Sequence, residues 1–158
     1  MAYFFGVYEI AEMAARVEKA SALFYNKVAA WSWDPDSREV FMILAGQEEE
    51  HQRAFEKIAL AYKDRKESEE YSIDVRTMLE GLLVPLERIS FTDIVTVAPK
   101  DMREALDVAL RREEVTVQVY SLMRAHLLEK FRGILDAIIV VEQKHTEMVQ
   151  GLRRHYLS

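Results

Sequence analysis

Two short motifs in the sequence each place a carboxylate and an imidazole on one face of a helix. Residues 48–51 and 142–145 both read Glu-x-x-His, and side chains three apart on a helix are neighbours. One such motif arises often by chance, but both lie on apolar helical stripes, and each of two further stripes carries a glutamate. Four Glu and two His form the ligand set of two-metal sites in the cores of helical bundles. The predicted metal ligands are Glu18, Glu48, His51, Glu113, Glu142 and His145.

Four glutamates buried together require a compensating positive charge. Ionised carboxylates would repel one another and lose their hydration, so without a counter-charge they would protonate instead. No Lys or Arg lies on any of the four stripes, so two divalent cations are the expected counter-charge. Oxygen and nitrogen ligands without thiolate suit iron, with manganese or zinc as alternatives. The competing interpretation is a metal-free polar network in the core of an interaction bundle.

Two tyrosines follow the single glutamates at the same spacing. Tyr25 lies seven residues after Glu18, and Tyr120 lies seven residues after Glu113. Each phenol is a candidate donor that orients a ligand carboxylate, although packing alone would also explain it. No catalytic side chain is predicted beyond the ligands and these two tyrosines.

Four stretches with helical periodicity carry these residues. Apolar side chains spaced by three or four predict one buried face on each helix. Asp34 is a candidate N-cap for a helix that begins at Pro35. The turns should fall midway between the paired glutamates, near Trp33 in one half and near residues 127–128 in the other. The predicted single domain (1–158) comprises a hairpin over about 3–64, a crossover over about 65–98 with a short helix from Ile73 to about Leu83, and a hairpin over about 99–157 that starts at Pro99.

An internal repeat relates the two hairpins. In each half a glutamate precedes a tyrosine by seven residues, and it precedes the glutamate of the Glu-x-x-His motif by 30 residues in the first half and 29 in the second. Two helical hairpins joined by one long crossover form the ferritin-like variant of the four-helix bundle. The predicted fold class is therefore all-α.

Composition excludes several classes of function. The net charge of −6 argues against general affinity for nucleic acid, which requires a basic surface. The sequence contains no Cys, which excludes disulfides and thiolate-ligated iron–sulfur clusters within it. No apolar run approaches the roughly 18 residues of a membrane-spanning helix. The first residues lack the pattern of a signal peptide, so the expected location is the cytoplasm, without a membrane or nucleic-acid partner.

At these positions the sequence resembles the rubrerythrin-like branch of the ferritin-like superfamily. The resemblance covers the four helices, and its motifs are more specific for the superfamily than for one activity. The matching pieces are Ala14-x3-Glu18-x6-Tyr25, Glu48-x-x-His51, Ala109-x3-Glu113-x6-Tyr120 and Glu142-x-x-His145.

The resemblance implies a di-iron centre bridged by Glu48 and Glu142. Each histidine would bind one iron, and the glutamates of the first and third helices would be terminal ligands. Two features depart from classical rubrerythrins. Those proteins carry an additional Glu one turn away on the third helix, where this chain has Leu110 and Thr116. They also carry a four-Cys rubredoxin domain, which the absence of Cys excludes here.

The function that the resemblance implies is oxidation and reduction at a di-iron centre. The expected substrates are peroxide, or oxygen together with ferrous iron, and the expected reductant is an external electron donor. A role in defence against oxidative stress would follow. The alternative is an iron-binding, storage or sensing protein with little catalysis. The family commonly forms dimers, so a homodimer is expected.

Overall fold

The computed structural model describes five segments of the chain, residues 3–32, 34–64, 68–71, 102–126 and 129–157. Four long helices dominate them, which confirms the predicted all-α four-helix fold class. Within the described segments, no helix is long and apolar enough to cross a membrane. The elements in chain order are β1 (Tyr3–Gly6), α1 (Val7–Trp31), α2 (Pro35–Tyr62), β2 (Ser68–Tyr71), α3 (Met102–His126) and α4 (Glu129–Leu157).

The start of α2 follows the local sequence. Asp34 is the N-cap with extended backbone, and its Oδ2 accepts hydrogen bonds from the backbone N (3.2 Å) and the Oγ (2.5 Å) of Ser37. Pro35 occupies the first helical position, where its missing N–H costs nothing. The Ser37 hydroxyl also lies 2.7 Å from the hydroxyl of Tyr156, which ties the end of α4 to the start of α2.

The helix boundaries agree with the predicted turns. Helix α1 ends at Trp31 and α2 begins at Pro35, while α3 ends at His126 and α4 begins at Glu129. Each pair therefore reverses at the point midway between its two glutamates, as the repeat predicted.

Two apolar clusters define the directions of the helices. One contains Ala14 early in α1, Phe55 late in α2, Met123 late in α3 and Leu135 early in α4. The other contains residues from the opposite ends, including Val28 late in α1. Helices α1 and α2 are thus antiparallel, as are α3 and α4. Helices α2 and α3 run in the same direction, as they do in a bundle of two hairpins joined by a crossover.

A short strand pair was not predicted. The sequence analysis placed residues from 3 onward in the first helical hairpin, but β1 pairs antiparallel with β2, with Tyr3 opposite Tyr71 and Gly6 opposite Ser68. Aromatic residues favour strands, and periodicity in one segment does not reveal a partner far along the chain. The predicted short helix at 73–83 and the predicted helix start at Pro99 lie outside the described residues. The single-domain extent stays a prediction.

Candidate metal centre

The six predicted ligands meet at one level of the bundle, between the two apolar clusters. Helix α1 provides Glu18 and α3 provides Glu113, while α2 and α4 each provide one Glu-x-x-His motif. All six side chains are buried. The exposed fractions are 1% for Glu18, 1% for Glu48, 8% for His51, 2% for Glu113, 0% for Glu142 and 0% for His145.

The donor atoms of these residues form two overlapping groups. Each group offers four ligand atoms that lie within 4.8 Å of one another, and Glu48 and Glu142 belong to both groups. Glu18 and His51 complete one group, which is called the first half-site below. The second half-site is completed by the equivalent Glu and His of the other hairpin, which are Glu113 and His145.

The first half-site is arranged around Nδ1 of His51. This atom lies 2.6 Å from Oε1 of Glu142 and 3.5 Å from Oε2 of Glu48. It lies 3.6 Å from Oε2 of Glu18. One oxygen of each shared glutamate therefore faces this histidine.

The second half-site repeats this arrangement around Nδ1 of His145. That atom lies 3.3 Å from Oε2 of Glu142 and 3.5 Å from Oε1 of Glu48, which are the opposite oxygens of the same two carboxylates. It lies 3.6 Å from Oε2 of Glu113. The shared glutamates thus present one oxygen to each half-site, the geometry that a carboxylate bridging two ions requires.

Several buried polar atoms of the cluster have no hydrogen bond of acceptable geometry. They include Nδ1 of His51 and His145, both carboxylate oxygens of Glu142 and one oxygen each of Glu18 and Glu48. A buried polar atom without a hydrogen-bond partner costs about 1–3 kcal/mol. A pair of cations coordinated by these atoms would satisfy them together, so the donor set fits two metal ions.

Burial dominates the protonation of the two unshared glutamates. It raises the pKa of Glu18 well above its ordinary value, and the carboxylates of Glu48 and Glu142 raise this pKa further. Burial followed by the charge of Glu48 raises the pKa of Glu113 to about 8. Without a metal, burial therefore favours the protonated form of both unshared carboxyls.

For the two histidines, the neighbouring carboxylates affect the pKa more strongly than burial does. Burial would lower the pKa of His51, but the surrounding carboxylates, led by Glu142, outweigh burial and raise it to about 12. The carboxylates around His145, led by Glu113, likewise raise its pKa to about 12 against the effect of burial. Burial would raise the pKa of Glu48, but the two histidines, each with Nδ1 3.5 Å from one of its oxygens, lower this pKa far below the ordinary range. Protons therefore replace cations in the metal-free cluster.

The two tyrosines contact the cluster across the bundle, not along their own helices. The hydroxyl of Tyr25 on α1 donates to Glu113 on α3, and that of Tyr120 on α3 donates to Glu18 on α1. Both tyrosines are 0% exposed. Within one helix the seven-residue spacing corresponds to a rise of about 10.5 Å, too far for the hydroxyl. Each tyrosine therefore pairs with the unshared glutamate of the other hairpin, in a position to orient that carboxylate.

Arg112 is a buried cation that the sequence analysis missed. It is 2% exposed, and its Nη2 donates to Oγ of Ser21 at 2.6 Å. Its guanidinium carbon lies 5.5 Å from the ring centre of Phe24, and its charge acts to lower the pKa of Tyr25 against the larger effect of burial. The sequence analysis considered only basic residues on the four apolar stripes, and Arg112 lies beside the stripe of its helix. The neighbouring Arg111-Arg112-Glu113 sequence offered no signal for which arginine turns inward.

Gln47 is a second contact that the sequence analysis missed. Its Oε1 lies 2.7 Å from Nε2 of His145, the ring nitrogen that faces away from the shared carboxylates. A side-chain amide next to Glu48 is common on a helix surface, so the sequence alone gave no reason to select it. Its proximity to His145 depends on how α2 packs on α4.

The comparisons with known proteins agree with this geometry. A search of curated proteins gave no match. The fold is similar to the crystal structure of a ferritin-like diiron-carboxylate protein from Thermotoga maritima, with a TM-score of 0.67. The two sequences are 18% identical, and the alignment covers 96% of this chain and 97% of that chain. This likeness shows the fold alone. The family model named Rubrerythrin matches residues 9–153, so this chain belongs to the Rubrerythrin family.

Proposed function

We propose that this protein is a di-iron carboxylate oxidoreductase that reduces peroxide, or that oxidises ferrous iron with oxygen. The observation that carries the proposal is the pair of donor groups that share Glu48 and Glu142. One carboxylate oxygen of each shared residue faces each histidine, at 2.6–3.5 Å from Nδ1. Membership of the Rubrerythrin family supports iron as the metal.

The proposed ligand roles follow from these distances. Glu48 and Glu142 would be shared by the two ions, while each histidine and each unshared glutamate would bind one ion. Four carboxylates balance two divalent cations, so the loaded centre is neutral and tolerates burial far better than the metal-free carboxylates would. Manganese and zinc suit the same donors and are the alternative metals.

The metal would supply the redox chemistry. Bound as a ferrous pair, it would supply the two electrons that reduce hydrogen peroxide, with two protons, to two waters, or oxygen to hydrogen peroxide. Repeated turnover would need an external electron donor, since this sequence has no Cys to hold a thiolate-ligated centre.

The protein's own residues would hold and shield the site. Tyr25 and Tyr120 donate hydrogen bonds to the unshared carboxylates and fix their orientation. The apolar clusters on both sides limit water. The first half-site is closer to solvent, since His51 is 8% exposed and His145 is 0% exposed. Peroxide or oxygen would therefore approach from the His51 side.

An anaerobic ferrous titration followed by rapid mixing tests the proposal. Two ferrous ions should bind per chain, and mixing with peroxide or with oxygen should produce the absorbance of the oxidised pair. The faster of the two reactions identifies the physiological oxidant. The Glu48→Ala variant should lose binding of the pair. A matched control is Glu49→Ala, because the Glu49 side chain is 47% exposed and points away from the cluster.

The outcomes separate the alternatives. Binding of two ferrous ions with slow oxidation by both oxidants would indicate an iron-handling protein with little catalysis. The lack of a Glu one turn from Glu113, where Leu110 and Thr116 stand, favours this second candidate over rapid peroxidase turnover. Less than one ion per two chains would refute both functions and leave a metal-free interaction bundle.

The proposed function also carries expectations about the assembly, location and biological role of the protein. We expect a homodimer in the cytoplasm that takes part in defence against oxidative stress. Sedimentation of the purified chain tests the dimer directly, and a monomer at micromolar concentration would contradict it.

A further inference from the structure

The contact between Gln47 and His145 breaks the internal repeat of the chain. The repeat aligns Glu48 with Glu142, so the residue equivalent to Gln47 in the second hairpin is Val141. Gln47 carries an amide that can accept a hydrogen bond, whereas the side chain of Val141 cannot. The ligands of the two half-sites match, but this neighbouring position differs.

The geometry of the contact shows which atom donates the hydrogen bond and which accepts it. Nδ1 of His145 faces the carboxylates of the cluster, and Nε2 lies 2.7 Å from Oε1 of Gln47. A neutral imidazole that binds a metal through Nδ1 must carry its proton on Nε2. Nε2 is then a donor, and only the oxygen of the Gln47 amide can receive its proton. His145 is 0% exposed and Gln47 is partly exposed, so the hydrogen bond is partly buried and its donor lies inside the bundle.

We propose that Gln47 is a positioning residue of the second half-site, which accepts the Nε2 proton of His145 and so presents Nδ1 to the metal. This inference rests on the proposed function, because it assumes that the cluster binds metal. Partners of a ligand histidine's second nitrogen set its tautomer and ring orientation, and their removal typically weakens metal binding 10–100-fold.

A further consequence is that the two ions are held unequally. The ion at His145 would gain support from Gln47, beside a histidine that is 0% exposed. The ion at His51 would lie nearer to solvent, since His51 is 8% exposed, and the residue equivalent to Gln47 in its repeat is Val141, which carries no amide. The His145 ion should therefore bind first and leave last.

Zinc titration of the full chain with a competing chelator tests the proposal without any turnover. Wild-type protein should bind two zinc ions with distinct affinities. Gln47→Leu keeps a side chain of similar size and removes the acceptor, so one affinity should fall about 10–100-fold and the other should stay within about twofold. The matched control is Val141→Leu, which changes the equivalent position and should leave both affinities unaltered. Gln47→Glu restores an acceptor and should restore the weakened affinity.

Nitrogen-15 spectra of the zinc-loaded protein add a readout that a packing role would not move. The chain contains four histidines, so the ring signals are few. In wild type, His145 should be a single tautomer with a slowly exchanging proton on Nε2. In Gln47→Leu that proton should exchange much faster. Unchanged affinities and unchanged exchange in this variant would overturn the role of Gln47 alone. Absence of zinc binding in the wild type would overturn it together with the proposed function.

Discussion

The cross-bundle hydrogen bond from Tyr120 to Glu18 is the contact whose removal tests the site most directly. Tyr120→Phe deletes one hydroxyl and keeps the ring, which packs on Phe55 with ring centres 5.4 Å apart. Burial raises the pKa of Glu18 well above the ordinary value, which favours its protonated form in the metal-free protein. Glu18 must ionise to bind a cation. The tyrosine therefore stabilises mainly the metal-bound state.

The expected magnitude follows from the kind of hydrogen bond that is lost. A hydrogen bond to a charged acceptor contributes about 1.5–3 kcal/mol. Since about 1.4 kcal/mol corresponds to a tenfold change in an equilibrium constant, Tyr120→Phe should weaken one metal site roughly 10- to 150-fold. Chelator competition with zinc or manganese measures the loss. The mirror variant Tyr25→Phe should weaken the half-site of Glu113 by a similar factor.

Double variants identify the partner of Tyr120. In a Glu18→Ala background, Tyr120→Phe should have almost no further effect on binding of the remaining ion. In a Glu113→Ala background its full effect should persist. The reverse result, with the effect lost only in the Glu113→Ala background, would show that the tyrosine acts on the glutamate of its own helix. That result would refute the cross-bundle geometry.

Three further predictions follow from the site and from the start of α2. Metal affinity should rise with pH, because the cations must displace protons from three ligands. The pKa values are about 12 for His51 and His145 and about 8 for Glu113. Calorimetry in buffers of different ionisation enthalpy counts the released protons. The folding stability of the metal-free protein, in contrast, should fall as the pH rises. These three pKa values are raised above the ordinary 6.5 and 4.5, so their stabilisation is lost as pH rises towards 8 and beyond; urea unfolding in excess chelator should give lower stability near pH 9 than near pH 6. Asp34→Ala should cost about 1 kcal/mol, since it removes the N-cap that accepts from Ser37; urea unfolding measures this loss, and an unchanged midpoint would contradict it.

The sequence predicted those features that depend on one helix at a time. The three-residue spacing of Glu48 and His51 fixes their common face wherever the helix lies, because helix geometry is regular. The Asp34-Pro35 pair identifies a helix start by local backbone chemistry. The repeated glutamate spacing also located both turns. Two antiparallel helices have the same rise per residue, so the turn must lie midway in sequence between two glutamates at the same level of the bundle.

Features that depend on the packing of two helices were not predictable in the same way. The partner of Tyr25 depends on the offset between α1 and α3, which no single-helix pattern contains. Arg112 lies next to the stripe of α3, and a narrow stripe underestimates the buried face of a helix that packs against two neighbours. The pairing of β1 with β2 joins segments more than 60 residues apart. Each of these contacts required the tertiary arrangement.

The two half-sites have the same ligands, and they differ in the residues that immediately precede the glutamates. Val17 precedes Glu18, whereas the buried Arg112 occupies the equivalent position before Glu113. Gln47 and Val141 differ at the equivalent position of the other two helices. Gln47 contacts His145 of the second half-site, whereas Arg112 donates to Ser21 and lies over the ring of Phe24. The repeat therefore keeps the six candidate ligands, while the residues beside them differ between the two half-sites.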